Sequence, residues 1–283
     1  MKYSNPEIPE GINYSREHPL KEFVILTAGV LGLFLVLILV LGLLAESLAG
    51  YVPFSAEQKI AALQPLDTSG DESPMRPYLQ GLAERLAAAE DLPRDMSIQV
   101  HYVDDDTVNA FATLGGNIIV FRGLLEVMPD ENALAMVIAH EVAHIKYRHP
   151  LKGLGRVVVI GTVLSMFSGA AGNDIVNDVL GQAGLLTALK YSRTQERQAD
   201  SEALAALQQL YGHVDGATEL FHLLQQQEKE HALHQPEFFD SHPLTENRIT
   251  TLQQLAEEED WATNGERTKL PPDFHAWLQT DND

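Results

Sequence analysis

The stretch PDENALAMVIAHEVAHIKYRH, Pro129–His149, decides how the rest of the chain is read. Within it His140 and His144 stand four residues apart, and Glu141 follows the first of them. On an α-helix that spacing sets both imidazoles on one face, one turn apart, with Glu141 bordering the same face. Two neutral imidazoles so placed can bind one Zn2+, and the adjacent carboxylate can act on water beside the ion. The flanks suit a helix. Pro129 and Asp130 fit an N-terminus, the run from Ala133 to Ala139 is apolar, and Lys146 and Arg148 complement the negative end. A helix apolar on nearly every side is expected to be buried, so its two histidines and its glutamate need partners.

A third ligand is expected from SRTQERQAD, residues 192–200. Ser192 with Gln195 three residues later forms a capping box, which puts Glu196 and Asp200 one turn apart on the helix that follows. Alone, such a pair reads as a solvated helix face. Beside His140 and His144 it reads differently: Glu196 completes a three-ligand set with a fourth position left open. Asp200 then stands behind it and fixes a ligand histidine through its other ring nitrogen.

Composition narrows the classes. The 283-residue chain has room for one membrane segment and one globular domain of ordinary size. Its net charge of −21 argues against nucleic acid as a partner. It contains no cysteine, so any zinc site must be built from histidine and carboxylate.

Residues 1–22 form a polar tail, and residues 23–45 are an uncharged apolar run flanked by Glu22 and Glu46. At about 1.5 Å per residue the run can cross a hydrocarbon core of about 30 Å. Small residues near Ala45 to Ala49 offer a signal-peptide alternative, but the apolar core is too long for one, so an uncleaved anchor in the lipid bilayer is expected. Lys2, Arg16 and Lys21 precede the run and only Lys59 follows closely, which places the N-terminus in the cytoplasm and the catalytic part outside, in a bacterium the periplasm.

Residues 46–74 read as a linker with a connecting helix capped by Ser55 and Gln58, and a further helix starts near Tyr78. Residues 97–103 alternate like a strand, and 109–114 and 117–121 around Gly115-Gly116 read as a hairpin. Asn117, Ile118, Ile119 and Val120 are the expected strand for an extended substrate peptide. The apolar run 157–171 is short and glycine-rich for a membrane span, and with the residues up to 190 it suggests a helical hairpin that either packs in the core, the favoured reading, or dips into the membrane surface. His242 and Pro243 suit a helix start, His242 as its cap, and residues 259–283 read as a polar C-terminal tail. The expected fold is mainly α with a small β-hairpin or sheet (α+β), its globular domain spanning 75–258.

Four ordered motifs now carry a resemblance. HEVAH at 140–144, Glu196-x-x-x-Asp200, SHP at 241–243 with Arg248-Ile249, and NAFATLGGNIIVFRGL at 109–124 resemble the membrane-associated zinc metallopeptidase family of HtpX and the CAAX prenyl endopeptidase. The resemblance spans roughly residues 75–255. It implies a gluzincin fold, one zinc per chain on His140, His144 and Glu196, Glu141 as catalytic base, and His242 and Arg248 near the cleft. One clear span and no repeat-containing extension place the chain nearer single-anchor or periplasmic members than multi-spanning ones. The expected function is hydrolysis of peptide bonds in misfolded or envelope proteins. His242 or Arg248 would stabilise the oxyanion, or His242 would instead occupy the open zinc position. The rivals are a zinc-binding chaperone-like or adaptor protein with little turnover, and a helical membrane protein without stoichiometric zinc. Oligomeric state is not legible in the sequence.

Overall fold

The computed structural model describes residues 18–63, 66, 72–168, 190–223, 242 and 246–278. The expected tail before residue 18, the 67–71 loop, the hairpin's continuation over 169–189, Pro243 and the last five residues lie outside that set.

Helix α1 (Pro19–Ala49) has proline in its first turn and then no charge between Glu22 and Glu46. Leu31, Leu33, Leu35, Val36 and Leu39 are each more than half exposed. Among the described residues it is the one helix long and apolar enough to cross a membrane.

The domain behind it is built on helix α5 (Glu131–Lys146), of which every residue from Glu131 to Ile145 is buried. Asp130 caps it by accepting the Ala133 amide at 2.8 Å. Glu131, in the electropositive first turn, accepts the hydroxyls of Tyr78 and Tyr211 and an Arg85 N–H at 3.0–3.1 Å. Helix α3 (Met75–Ala89) lays Leu79, Leu82 and Leu86 into the same core, at the spacing of one helix face. Later in the chain, helix α7 (Arg193–Tyr211) buries Ala199, Ala203, Leu204 and Leu207. Its small residues let the backbones of α5 and α7 come close. The capping box of Ser192 and Gln195 is present as expected, and Gly212 ends the helix in the left-handed conformation.

Three strands form a sheet against α3 and α5, β1 meeting α3 and β2 meeting α5: β1 (Gln99–Val103), β2 (Ala110–Thr113) and β3 (Asn117–Phe121), in the order β1-β3-β2. The expected hairpin forms, with Ala110 opposite Val120 and Thr113 opposite Asn117, and β1 adds to it in parallel. The turn passes through Gly115 and Gly116 at φ +76° and +84°, and a Cβ on Gly116 would stand 1.9 Å from the Ser97 carbonyl oxygen. Only glycine fits there.

A short helix α4 (Arg122–Glu126) leads from β3 into α5, and helix α6 (His149–Ser168) follows α5 almost at once. Helix α8 (Glu246–Glu258) packs on α7, and helix α9 (Phe274–Leu278) packs on α3 and α4.

Several sequence expectations need correction. Asn117–Val120 belong to the central strand, paired on both sides, so their main chain is not free for a substrate; the strand beside α5 is β2. Ser55 does not cap helix α2 (Phe54–Ala61), because Pro53, with its fixed φ, starts the helix two residues earlier. Nor is the region a loose linker: Phe54 joins the core, and Glu57 accepts from Arg148 Nε at 2.6 Å and from the Gly115 amide at 3.0 Å. Of the stretch expected as a C-terminal tail, residues 259–278 form a strap docked on the domain. Thr268 exchanges hydrogen bonds with Glu131 and Asn132, Arg267 pairs with Asp130 and Asp215, and Phe274 is fully buried edge-on to Tyr78. Finally, α6 does not pack into the core beyond its first turns; it lies along α1, leaving Val158 and Ile160 exposed.

Candidate metal centre

Helix α5 presents His140 and His144 on one face, and α7 brings Glu196 to them from its first turn. The Nε2 atoms of His140 and His144 are 3.0 Å apart, and Glu196 lies 3.5 Å from His144 Nε2 and 3.6 Å from His140 Nε2. His242 closes the cluster, its Nδ1 standing 3.2 Å from both His140 Nε2 and Glu196 Oε1. One ligand atom from each of the four residues lies within 4.8 Å of the others, and all four residues are buried.

These distances test whether a metal fits. A tetrahedral ion with bonds of about 2.0–2.1 Å separates its ligands by about 3.3–3.4 Å, close to the spacings here. Lone pairs that converge in a buried space with no sulfur ligand suit a divalent ion with a nitrogen–oxygen preference. Without an ion the cluster is electrostatically awkward. Burial opposes charge on His140, yet hydrogen bonding to Asp200 and Glu196 pushes its imidazole up to about 10. Burial drives His144 well below the usual imidazole range. Burial would raise the Glu196 carboxyl, but His242 and the two helix histidines hold it well below its ordinary value.

The surrounding residues orient the four. Asp200 Oδ1 stands 3.0 Å from His140 Nδ1, on the side of the ring away from the cluster, and Arg248 grips Asp200 through Nε and Nη2 at 2.8 and 2.6 Å. Arg248 also reaches Glu196 Oε2 at 2.9 Å and the His242 carbonyl at 3.5 Å. The sequence expectation of Arg248 in the cleft therefore changes. Its guanidinium is engaged with the two carboxylates behind the cluster, and it is not placed to meet a substrate oxyanion. His242 is no helix cap either, since its ring lies in the cluster and α8 begins at Glu246.

Sequence reasoning missed three groups. His149 Nδ1 is 2.9 Å from His144 Nδ1, and His149 Nε2 is 3.3 Å from Gln198 Oε1. Because the Gln198 oxygen can only accept, His149 carries its proton on Nε2 and accepts from His144 Nδ1–H, which turns the His144 Nε2 lone pair toward the cluster. Tyr191 stacks on His144 with centroids 3.8 Å apart and donates to the Ala112 carbonyl at 3.2 Å. The third is main chain: the Ala112 amide donates to Glu141 Oε2 at 2.6 Å. His149 was in view, five residues beyond His144, but its partner Gln198 was not. Glu141 is fully buried, and that burial raises its carboxyl, with His242 and His140 opposing.

Removal of the Asp200 carboxylate tests its orienting role. Asp200→Ala should weaken metal binding by about 10–100-fold, read by competition against a chromogenic chelator; unchanged affinity would leave Asp200 with no part in the site.

Two imidazoles from an HExxH helix and a glutamate from a second helix define a metallopeptidase-type centre on a mostly helical α+β domain. The chain belongs to Peptidase family M48, whose pattern matches residues 74–256. It is 29% identical over 186 residues to the mitochondrial metalloendopeptidase OMA1 of Schizosaccharomyces pombe, a match covering 64% of this chain and 53% of that one. With the beta-barrel assembly-enhancing protease of Escherichia coli K12 it shares 26% identity over 197 residues, 64% of this chain and 39% of the relative. A protease HtpX homolog of Dictyoglomus thermophilum is 27% identical over 230 residues, 68% and 75% of the two chains. The chain thus spans about half the length of the first of these relatives and less of the second.

Proposed function

We propose that the protein is a membrane-anchored zinc metalloendopeptidase, with the ion held by His140, His144 and Glu196 and with Glu141 as general base. The observation that carries the proposal is the buried four-donor cluster beside Glu141. A zinc ion held there would supply Lewis-acid chemistry, making water nucleophilic near neutral pH and polarising the scissile carbonyl. Glu141, raised by burial, takes a proton from the attacking water as its oxygen adds to the carbonyl carbon, and gives it to the amine as the C–N bond breaks. Asp200 and His149 hold the two imidazoles in the required tautomers. Ala112 uses its amide and carbonyl on Glu141 and Tyr191, and so ties β2 to the base and to the ring stacked on His144.

Helix α1 is read as the anchor, with the domain on the periplasmic side, as the positive residues before the span suggest. Misfolded or envelope polypeptides are the proposed substrates. Relatives named as a metalloendopeptidase and as an assembly-enhancing protease support that class. The test is digestion of casein by the purified chain, lost with chelator and restored by zinc; digestion indifferent to chelator would overturn the zinc assignment.

A second reading, a zinc-binding adaptor with little turnover, draws support from His242, which completes the ligand set that a catalytic centre leaves open. On the peptidase reading His242 marks a resting state that substrate displaces. His242→Ala should then raise basal digestion several-fold with zinc per chain unchanged. Activity absent from both forms would favour the adaptor, and a loss as deep as that expected for Glu141→Gln would instead make His242 a transition-state group.

A further inference from the structure

We propose that helix α6 enters the lipid bilayer beside α1, so that the domain is held by two apolar helices and its metal cluster sits at the membrane surface. The inference rests on reading α1 as the membrane span. The two helices run antiparallel. Ala49 and Leu151 share one small cluster, Glu46 pairs with Arg156, and a Cβ on Gly155 would meet the Ala45 Cβ at 3.3 Å. Each step outward along α6 is thus matched by a step back along α1, into its apolar run.

Burial on α1 follows the same track. Phe34, Ile38, Leu41, Gly42 and Ala45 are half-covered while their neighbours are exposed, a stripe at helical spacing on the side that meets α6. Along α6 the cover is partial. Val163 is buried, but Val158 and Ile160, on different sides of the helix, are 39% and 42% exposed, and Thr162 is exposed. Residues 157–168 include no charged side chain. Such a surface, continuous with the fully apolar flank of α1, calls for hydrocarbon in place of water.

The polar groups agree. The Thr162 hydroxyl donates to the Val158 carbonyl at 2.7 Å and the Ser165 hydroxyl to the Thr162 carbonyl at 2.7 Å. Both are thereby satisfied within their own helix, as a lipid-facing hydroxyl must be. Charge resumes at one level on both helices, with the Glu46–Arg156 ion pair, which marks the edge of the apolar zone. Beyond it α6 has 12 residues, Val157 to Ser168. That is about 18 Å of helix, enough to enter a core of about 30 Å without crossing it.

The depth has a consequence for the site. His149, which orients His144, lies seven residues from Arg156 on the same helix. That is about 10 Å of rise, so the cluster is held close to the headgroup layer and favours substrate segments within reach of the membrane surface.

The absence of native cysteine allows a direct test by single-cysteine spin labelling of the full chain in phosphatidylcholine vesicles. Labels at Val158→Cys and Ile160→Cys are compared with Leu39→Cys on α1 and Gln254→Cys on exposed α8, using collisions with oxygen and with a polar nickel chelate. Hydrocarbon excludes the chelate at least about tenfold, so the oxygen-to-nickel ratio at 158 and 160 should match that at 39 and exceed that at 254 by that factor. Thr162→Cys replaces either variant should it misfold. A ratio at 158 and 160 like that at 254, with 39 in lipid, overturns the insertion of α6 alone. An aqueous ratio at 39 overturns the α1 span itself, and this inference with it.

Discussion

Replacing Glu141 with glutamine is expected to lower peptide hydrolysis by about 10²–10⁴-fold while zinc per chain stays at the wild-type value. The separation is possible because Glu141 is beside the cluster and not in it. Its Oε1 lies 3.4 Å from His242 Nε2 and its Oε2 accepts the Ala112 amide. Glutamine keeps an oxygen for that amide and nearly the same volume in a fully buried position, so folding should survive. What is lost is the carboxylate that takes and returns a proton. Full activity in Glu141→Gln would reject the assigned base, and loss of zinc would show that the residue belongs to the donor set after all.

The second large effect is on stability. Glu196→Ala, or chelation of the wild type, should remove the ion and leave two buried imidazole nitrogens 3.0 Å apart with nothing to share. Metal that binds only the folded chain stabilises it by mass action, about 4 kcal/mol at a free concentration about a thousandfold above the dissociation constant. At about 2–4 °C per kcal/mol for a domain of this size, the melting temperature should fall by roughly 10 °C. Restored zinc should recover it in the wild type and not in Glu196→Ala. The alanine variant adds a cost of its own, because Arg248 loses one of its two carboxylate partners in a buried position. An unchanged melting temperature on chelation would mean that the four donors hold no structural ion.

The parts of this account that could be read from sequence are those set by short spacing. The His140–His144 step, the Asp130 cap, the Ser192–Gln195 box and the glycine turn of the hairpin each depend on residues within a few positions, where helix and turn geometry leave little choice. What escaped depends on long-range pairing. No local pattern tells that β1 joins β3 in parallel, which makes Asn117–Val120 a central strand and leaves β2 at one border of the sheet. Nothing near Arg148 announces Glu57, and nothing near Glu131 announces Thr268, so the supposed linker and tail are docked elements. Arg248 looked like a cleft cation because its partners, Asp200 and Glu196, are some fifty residues away. The glycines of α6 spoke against a membrane span and left core packing and membrane contact both open, and nothing local showed that Gly155 serves the close approach to Ala45 on α1.

The most direct test of the central claim is elemental analysis of the purified chain, wild type beside His144→Ala and Glu196→Ala. The expected result is one zinc per wild-type chain, and far less when either an α5 imidazole or the α7 carboxylate is removed. Substoichiometric zinc in the wild type, or a full complement after loss of the Glu196 carboxylate, would contradict a centre assembled from two helices.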